Sequence, residues 1–215
     1  MNLSAISGYA GDACYAALAA VALWGCYQLV IIWRRAASLR FRSEKEQSEF
    51  LGQMEGRLNG GDFGGVMAEC VDDPRAMPQL VAMSLENRSM GYTKLRHYIA
   101  ESFQREVLSD LEHRVSWVVA VIKTAPMLGL FGTVLGMMSA FAKLSSGDKV
   151  DPTQLADDIS LALITTAIGL AIAIPLTVGL VSATIRIRKL EDLVSVGLTR
   201  FFDTLKPLLA TRAGG

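Results

Sequence analysis

The sequence predicts an all-α integral membrane protein with three transmembrane helices, the second and third extending as long helices into a cytoplasmic helical region. Three observations carry that reading. Residues 13–33 and 159–185 hold no charged side chain over 21 and 27 positions, and about 20 apolar residues in a helix cross a bilayer core. Residues 115–142 are apolar apart from Lys123, and 124–142 alone give 19 uncharged positions. The composition agrees. Hydrophobic residues make up 51% and charged residues 20% of the 215, with mean hydropathy +0.34, as when apolar blocks alternate with soluble ones.

Residues 1–12 form a short periplasmic N-terminus, and span one, 13–33, follows. A cleaved secretory signal fits poorly, because no Lys or Arg precedes Arg34 and 21 apolar residues are long for a signal core. Arg34, Arg35, Arg40 and Arg42 come directly after the run, which puts its C-terminal end in the cytoplasm by the positive-inside rule. Of the 21 basic residues, 12 lie in 34–114 and 6 in 186–215. The loop 143–158 has only Lys143 and Lys149 against four aspartates. The N-terminus is therefore expected outside and the C-terminus inside. Trp33 and Trp117 stand where interfacial anchors belong, at the cytoplasmic ends of spans one and two.

The cytoplasmic block, 34–114, shows no period-two alternation and reads as helical. Ser43 followed by Glu46 is a capping box, and Asn59-Gly60-Gly61 is a stop signal. A short helix from Asp62 to Val71 ends at Asp72-Asp73-Pro74, and a further one is expected after Pro78. From about Thr93 the pattern runs without Gly or Pro to Pro126, predicting one helix over 93–142, about 75 Å long. It carries span two, 115–142, into the membrane. The periplasmic loop 143–158 leads to span three, 159–185. The C-terminal helix, 186–215, repeats Leu190, Leu193, Val194, Leu198, Phe201, Phe202 and Leu205 at helical spacing. This stripe is expected to pack against that of the long helix below the membrane, with a separate partner-binding face as the alternative.

Several function classes fall away. Lys+Arg and Asp+Glu both total 21, so the chain lacks the basic footprint that nucleic-acid binding requires. Cys14, Cys26 and Cys70 are an odd number without metal spacing, which suits neither a disulfide framework nor a zinc site. With two histidines and no phosphate-cradling loop, H-E-x-x-H or G-x-S-x-G motif, no enzyme, metal or cofactor is expected. Gly60-Gly61 and Gly64-Gly65 read as helix punctuation.

The informative residues are small or polar and lie inside the spans. Gly129, Gly132, Gly136 and Ala140 in span two fall at spacings of three, four and four. Ala162, Thr166, Gly169, Ala173 and Thr177 form a similar face in span three. Small residues let helices approach closely where lipid supplies no hydrophobic drive. Such faces serve packing within one chain or a pore and subunit seam, and the second role is assigned to Gly129, Gly132, Gly136, Ala162, Gly169 and Ala173. Thr133 and Thr166 each bring a hydroxyl to mid-membrane. A lone threonine bonds back to its own helix, but two at similar depth on neighbouring spans suit an ion pathway. Lys123, where span two enters the membrane, can snorkel toward water.

Residues 125–138, APMLGLFGTVLGMM, resemble the second-span motif of the MotA/TolQ/ExbB proton-channel family, A-P-x-x-G-L-x-G-T-V-x-G-M. Residues 159–175, ISLALITTAIGLAIAIP, resemble its third-span motif. The three-span layout, with a cytoplasmic block and a cytoplasmic tail, is similar to the ExbB/TolQ branch, whereas the MotA branch has four spans. The resemblance implies a subunit of a motor in the bacterial inner membrane. It implies a homo-oligomer of five copies around the membrane helices of a single-span ExbD/TolR-like partner, whose membrane aspartate exchanges protons. It further implies work on the periplasmic side, for instance through a TonB-like protein. Thr133 and Thr166 match the family's pore-facing threonines.

One position departs from the family. ExbB and TolQ usually carry a glutamate five positions before the third-span threonine, where this chain has Leu161. Ionisable side chains inside membranes usually mark ion paths, and these spans offer only Lys123, so the acid is expected from the partner. A non-conducting scaffold of an envelope or motility complex is the alternative.

Overall fold

The computed structural model describes residues 3–145 and 152–213. The middle of the expected 143–158 loop lies outside the described residues, as do the two residues at each end of the chain. Among the described residues the chain is helical, without strands. The α-helices are α1 Leu3–Leu39, α2 Glu44–Asn59, α3 Phe63–Val71, α4 Ala76–Glu86, α5 Tyr92–Ser102, α6 Ser109–Ser145 and α7 Pro152–Ala213. A 3₁₀ turn, Arg88–Met90, precedes α5, and a π turn, Phe103–Leu108, joins α5 to α6. Three helical stretches, within Ala13–Leu39, Tyr92–Ser145 and Leu155–Leu208, are long and apolar enough to cross a membrane.

The chemistry that sets the helix ends is local. Ser43 caps α2 by accepting the Glu46 backbone N–H, and Glu46 reaches back to the Arg42 N–H, one residue before the N-cap position that a full capping box uses. Asp62 caps α3 through Gly65 N–H at 2.9 Å. Gly91, at φ +79°, takes the left-handed backbone that lets α5 begin at Tyr92. Helix α4 starts at Ala76, two residues before Pro78 and not after it. The missing N–H of a proline costs nothing in a first turn, whose donors have no partner in the helix.

The helix expected over 93–142 is continuous but holds the π turn. Leu95, Ile99 and Phe103 are buried at steps of four, and the next buried apolar residues are Leu108 and Leu111. A step of five turns a side chain about 140° off an α-helical stripe. Widening one turn returns Leu108 toward the stripe.

The chain divides into two compact units. The first comprises Met1–Ile31 with Arg114–Ser182, the apolar lengths of α1, α6 and α7. Helices α6 and α7 run antiparallel there: a Cβ on Gly136 would meet Ala162, one on Gly129 would meet Thr165, and one on Gly169 would meet Ala125. Helix α1 lies along both, with Gly25 against Val121 and Leu176, and Gly179 against Leu29. Gln28, buried, accepts from Arg114 at 3.3 Å, and Trp24 meets Trp117 edge-on. Leu130, Phe131, Phe141, Ile174 and Val178 remain exposed, an outer surface suited to lipid. Lys143 pairs with Asp158.

The second unit comprises Ile32–His113 with Ala183–Gly215. Its core holds Met54 and Leu58 from α2, Met77 and Val81 from α4, and Leu190, Phe201, Phe202 and Leu205 from α7, each almost fully covered. The stripe expected on the C-terminal helix thus packs inward, with Leu193 half-buried. Buried Gln47 donates to Leu193 O at 2.6 Å, and a Cβ on Gly197 would come within 2.5 Å of the Gln47 amide. Arg200 pairs with Glu55 through two bonds of 2.7 and 3.0 Å.

Arg75 is a junction of that unit. It pairs with Asp73, reaches Glu46 at 3.0 Å and lies 3.9 Å over the Phe41 ring. Hydrogen bonding from Arg75 holds the Asp73 carboxyl below its ordinary value, and the same bond raises the guanidinium. Burial first, then Glu69 and Asp73, pushes the Cys70 thiol up to about 11, leaving it unreactive at neutral pH.

Candidate functional site

The approach of α6 to α7 depends on residues with no side chain to interpose. A Cβ on Gly129 would stand 2.7 Å from Thr165 O and 2.9 Å from Thr166 Cα. These are backbone atoms that cannot move aside cheaply. A Cβ on Gly169 would stand 2.6 Å from Ala125 O, and one on Gly136 would stand 2.5 Å from the Ala162 methyl. Gly132 leaves room for Thr165, whose Oγ1 would lie 2.7 Å from an added Cβ. Gly129, Gly132, Gly136, Ala162 and Gly169 therefore meet inside one chain, and Ala173 is buried as well.

That close approach gathers hydroxyls around two carbonyls. Thr133 and Thr166, expected at similar depth, are brought together with their Oγ1 atoms 2.5 Å apart. Thr133 also reaches Ala162 O at 2.8 Å across the seam and Gly129 O at 3.2 Å on its own helix. Thr166 donates to Gly129 O at 3.1 Å. A third threonine completes the cluster: Thr165 lies 2.9 Å from Gly129 O and 2.7 Å from Ala162 O. Thr133 and Thr165 are 7% and 4% exposed, whereas Thr166 is half-buried. Thr166 is the least buried of the three residues.

Span one contributes at the same level. Tyr15 donates to Leu161 O at 3.2 Å, and Cys14 donates to Leu128 O at 3.2 Å. Thr165, Cys14 and Tyr15 were not singled out by sequence reasoning. The signal for the first was the doubled hydroxyl of Thr165-Thr166, which on a helix turns one hydroxyl into the seam beside the other. Lys123 is exposed and lies ten residues before Thr133, about 15 Å along the axis, so it takes no part in the cluster.

The arrangement can offer either sense of hydrogen bond. Each hydroxyl donates one proton and accepts, and each carbonyl has two lone pairs. The Thr133 backbone N–H takes one lone pair of Gly129 O within α6, and three hydroxyls stand within reach of the other, so the protons have more than one arrangement.

Comparison with known proteins agrees with both motifs. The model of the MotA/TolQ/ExbB proton channel family matches residues 75–195, more than half of the chain. The Tol-Pal system protein TolQ of Haemophilus influenzae is 36% identical over 114 residues, 53% of this chain and 48% of that protein. A biopolymer transport protein ExbB homolog of Methanothermobacter thermautotrophicus is 28% identical over 157 residues, 72% of this chain and 54% of the homolog. An ExbB-like protein of Helicobacter pylori is 35% identical over 92 residues, covering 43% and 59%. The chain spans about half the length of the curated relatives it matches. With three apolar helices long enough to cross a membrane and a family match over most of two of them, this multi-pass membrane protein belongs to the MotA/TolQ/ExbB proton channel family, on its ExbB/TolQ branch.

Proposed function

We propose that the chain is the ExbB/TolQ-like subunit of an inner-membrane motor driven by the proton-motive force. With a single-span partner of ExbD/TolR type it forms an ion channel that energises transport or other work across the envelope. Five copies surround the partner helices, with the N-terminus periplasmic and the C-terminus cytoplasmic. The observation that carries the reading is the Thr133–Thr166 pair, held between the two spans whose motifs match the family. Residues 115–142 and 159–185 contain no acid, so the carboxyl that exchanges the ion belongs to the partner. An ionised carboxylate in hydrocarbon is costly, and a protonated one still needs an acceptor for its hydroxyl. Thr166 meets either form, and Thr133 backs it from inside the seam.

Co-purification with mass measurement tests the assembly. Five copies together with a small single-span protein bearing a membrane aspartate support it, and a chain that purifies without such a partner overturns it. Cysteine labelling of intact cells tests the orientation: probes should reach 145–150 and fail to reach 34–114. A non-conducting scaffold is the second reading. It draws on the fact that every hydroxyl of the cluster already has an acceptor within the chain. Absence of ion flux through the wild-type complex, with its envelope work intact, would favour it.

A further inference from the structure

We propose that Thr165 is a positioning residue for the Thr133–Thr166 pair. Its hydroxyl, poised between the carbonyls of Gly129 and Ala162, decides whether Thr166 points its proton inward or outward. The proposal rests on the channel reading above.

The seat of Thr165 is built for its side chain. Gly132 leaves the space that Oγ1 occupies, and the residue is 4% exposed, so it touches no outside group directly. Its two acceptors are nearly equivalent, Ala162 O at 2.7 Å and Gly129 O at 2.9 Å. Rotation about one Cβ–Oγ bond moves its proton between them. The alternative acceptors belong to different helices, so the choice redistributes bonds across the seam.

That choice has a consequence for Thr166. When Thr165 donates to Ala162 O, Gly129 O is free to accept Thr166 at 3.1 Å. The Thr166 proton then points inward, and its oxygen accepts from a protonated carboxyl. When Thr165 turns to Gly129 O, it fills the lone pair left by the Thr133 backbone N–H. Thr133 then donates to Thr166 Oγ1 at 2.5 Å, so Thr166 has no inward acceptor. Its proton turns outward and donates to an ionised carboxylate. The two arrangements answer the two protonation states, and no covalent bond forms or breaks. Buried Thr165 sets the direction and half-buried Thr166 makes the contact.

The test uses the chain assembled with its partner in proteoliposomes, with ion flux under an imposed gradient read at matched assembly. Thr165→Val keeps the shape and removes the hydroxyl, and should reduce flux about five- to tenfold. Thr165→Ser should stay within about twofold of wild type. The discriminating readout is a double-mutant cycle with Thr166→Val. If Thr165 acts through Thr166, adding Thr165→Val to Thr166→Val should change flux less than about twofold. Multiplicative losses, equal losses in the serine and valine variants, or wild-type flux in Thr165→Val would each overturn the proposal. If Thr165→Val fails to accumulate, Thr165→Ala takes its place in the cycle. Failure of both while serine accumulates would put the hydroxyl in folding alone and overturn the proposal too. Absence of ion flux in the wild-type complex would instead sink the channel reading itself.

Discussion

The two units solve the same packing problem with opposite materials. In the unit of Met1–Ile31 and Arg114–Ser182, contact is made where side chains are missing, at Gly25, Gly129, Gly136, Gly169 and Gly179. The polar bonds around Gly129 and Ala162 join hydroxyls to backbone carbonyls. In the unit of Ile32–His113 and Ala183–Gly215, contact is made by large side chains such as Phe201, Phe202 and Met54, and its polar bonds include guanidinium–carboxylate pairs. The solvent explains the difference. Lipid gives apolar side chains no reason to associate, so close backbone approach and hydrogen bonds must hold helices together. Water rewards each buried phenylalanine or leucine with about 1.5–3 kcal/mol. A substitution should therefore be harmful in one unit for the reason that makes its reverse harmful in the other.

The largest effect is expected from filling the apolar unit. Gly136→Leu and Gly169→Leu each put a side chain where even a Cβ meets the facing helix within 2.6 Å. Neither variant should accumulate as an assembled complex in detergent, as size-exclusion chromatography would read. Normal assembly and full activity in both would show that the α6–α7 contact is looser than this packing. The converse change is to empty the other unit. Phe201→Ala removes a ring that is 1% exposed and should cost about 3–5 kcal/mol. The fall in thermal unfolding midpoint of the full chain checks it, and a shift no larger than that of an exposed alanine substitution would contradict it.

A smaller effect separates packing from chemistry within the apolar unit. Thr166→Val conserves shape and removes the hydroxyl of the least buried threonine of the cluster. Flux should fall about five- to tenfold while assembly stays as in wild type. Thr133→Val should cost assembly more, because its buried hydroxyl also bridges to Ala162 O. Equal assembly in the two variants, measured by copy number, would place both hydroxyls outside the packing of the seam.

Most of the fold was legible because the rules that made it are local. Charge-free runs give spans, Ser43 and Glu46 give a cap, and Asn59-Gly60-Gly61 gives a stop. What escaped were features set by tertiary contact. Pro78 reads as a barrier from its neighbours alone, and its harmless place in a first turn depends on where α4 begins. The π turn follows from burying Phe103 and Leu108 together, and the five-residue step was visible only as a break in rhythm. The pairing of Thr133 with Thr166 could be expected from two motifs. The part played by Thr165 could not, because adjacency in sequence does not tell which hydroxyl faces the seam until the Gly132 gap is placed opposite. The same holds for Tyr15 and Leu161, which lie 146 residues apart in sequence and meet through one bond.

The smallest expected effect concerns charge in the other unit and depends on pH. Asp73 is held below its ordinary value chiefly by the hydrogen bond from Arg75, so folding favours its ionised form. Stability from this group is fully present above the unfolded carboxyl value of about 4 and is lost as pH falls through the lower folded value. Asp73→Asn should therefore lower the thermal midpoint of the full chain modestly at neutral pH. About 1 kcal/mol or less is expected, because the pair is partly exposed, with side chains 15% and 29% accessible, and Arg75 keeps Glu46 and Phe41. The gap between wild type and variant should then narrow on acidification below about pH 4, as the wild-type carboxyl takes up its proton. No comparable narrowing is expected for Thr166→Val, whose hydroxyl does not titrate in that range. A constant gap for Asp73→Asn down to pH 2 would mean that the charge of Asp73 contributes nothing and that its shape alone matters at the junction.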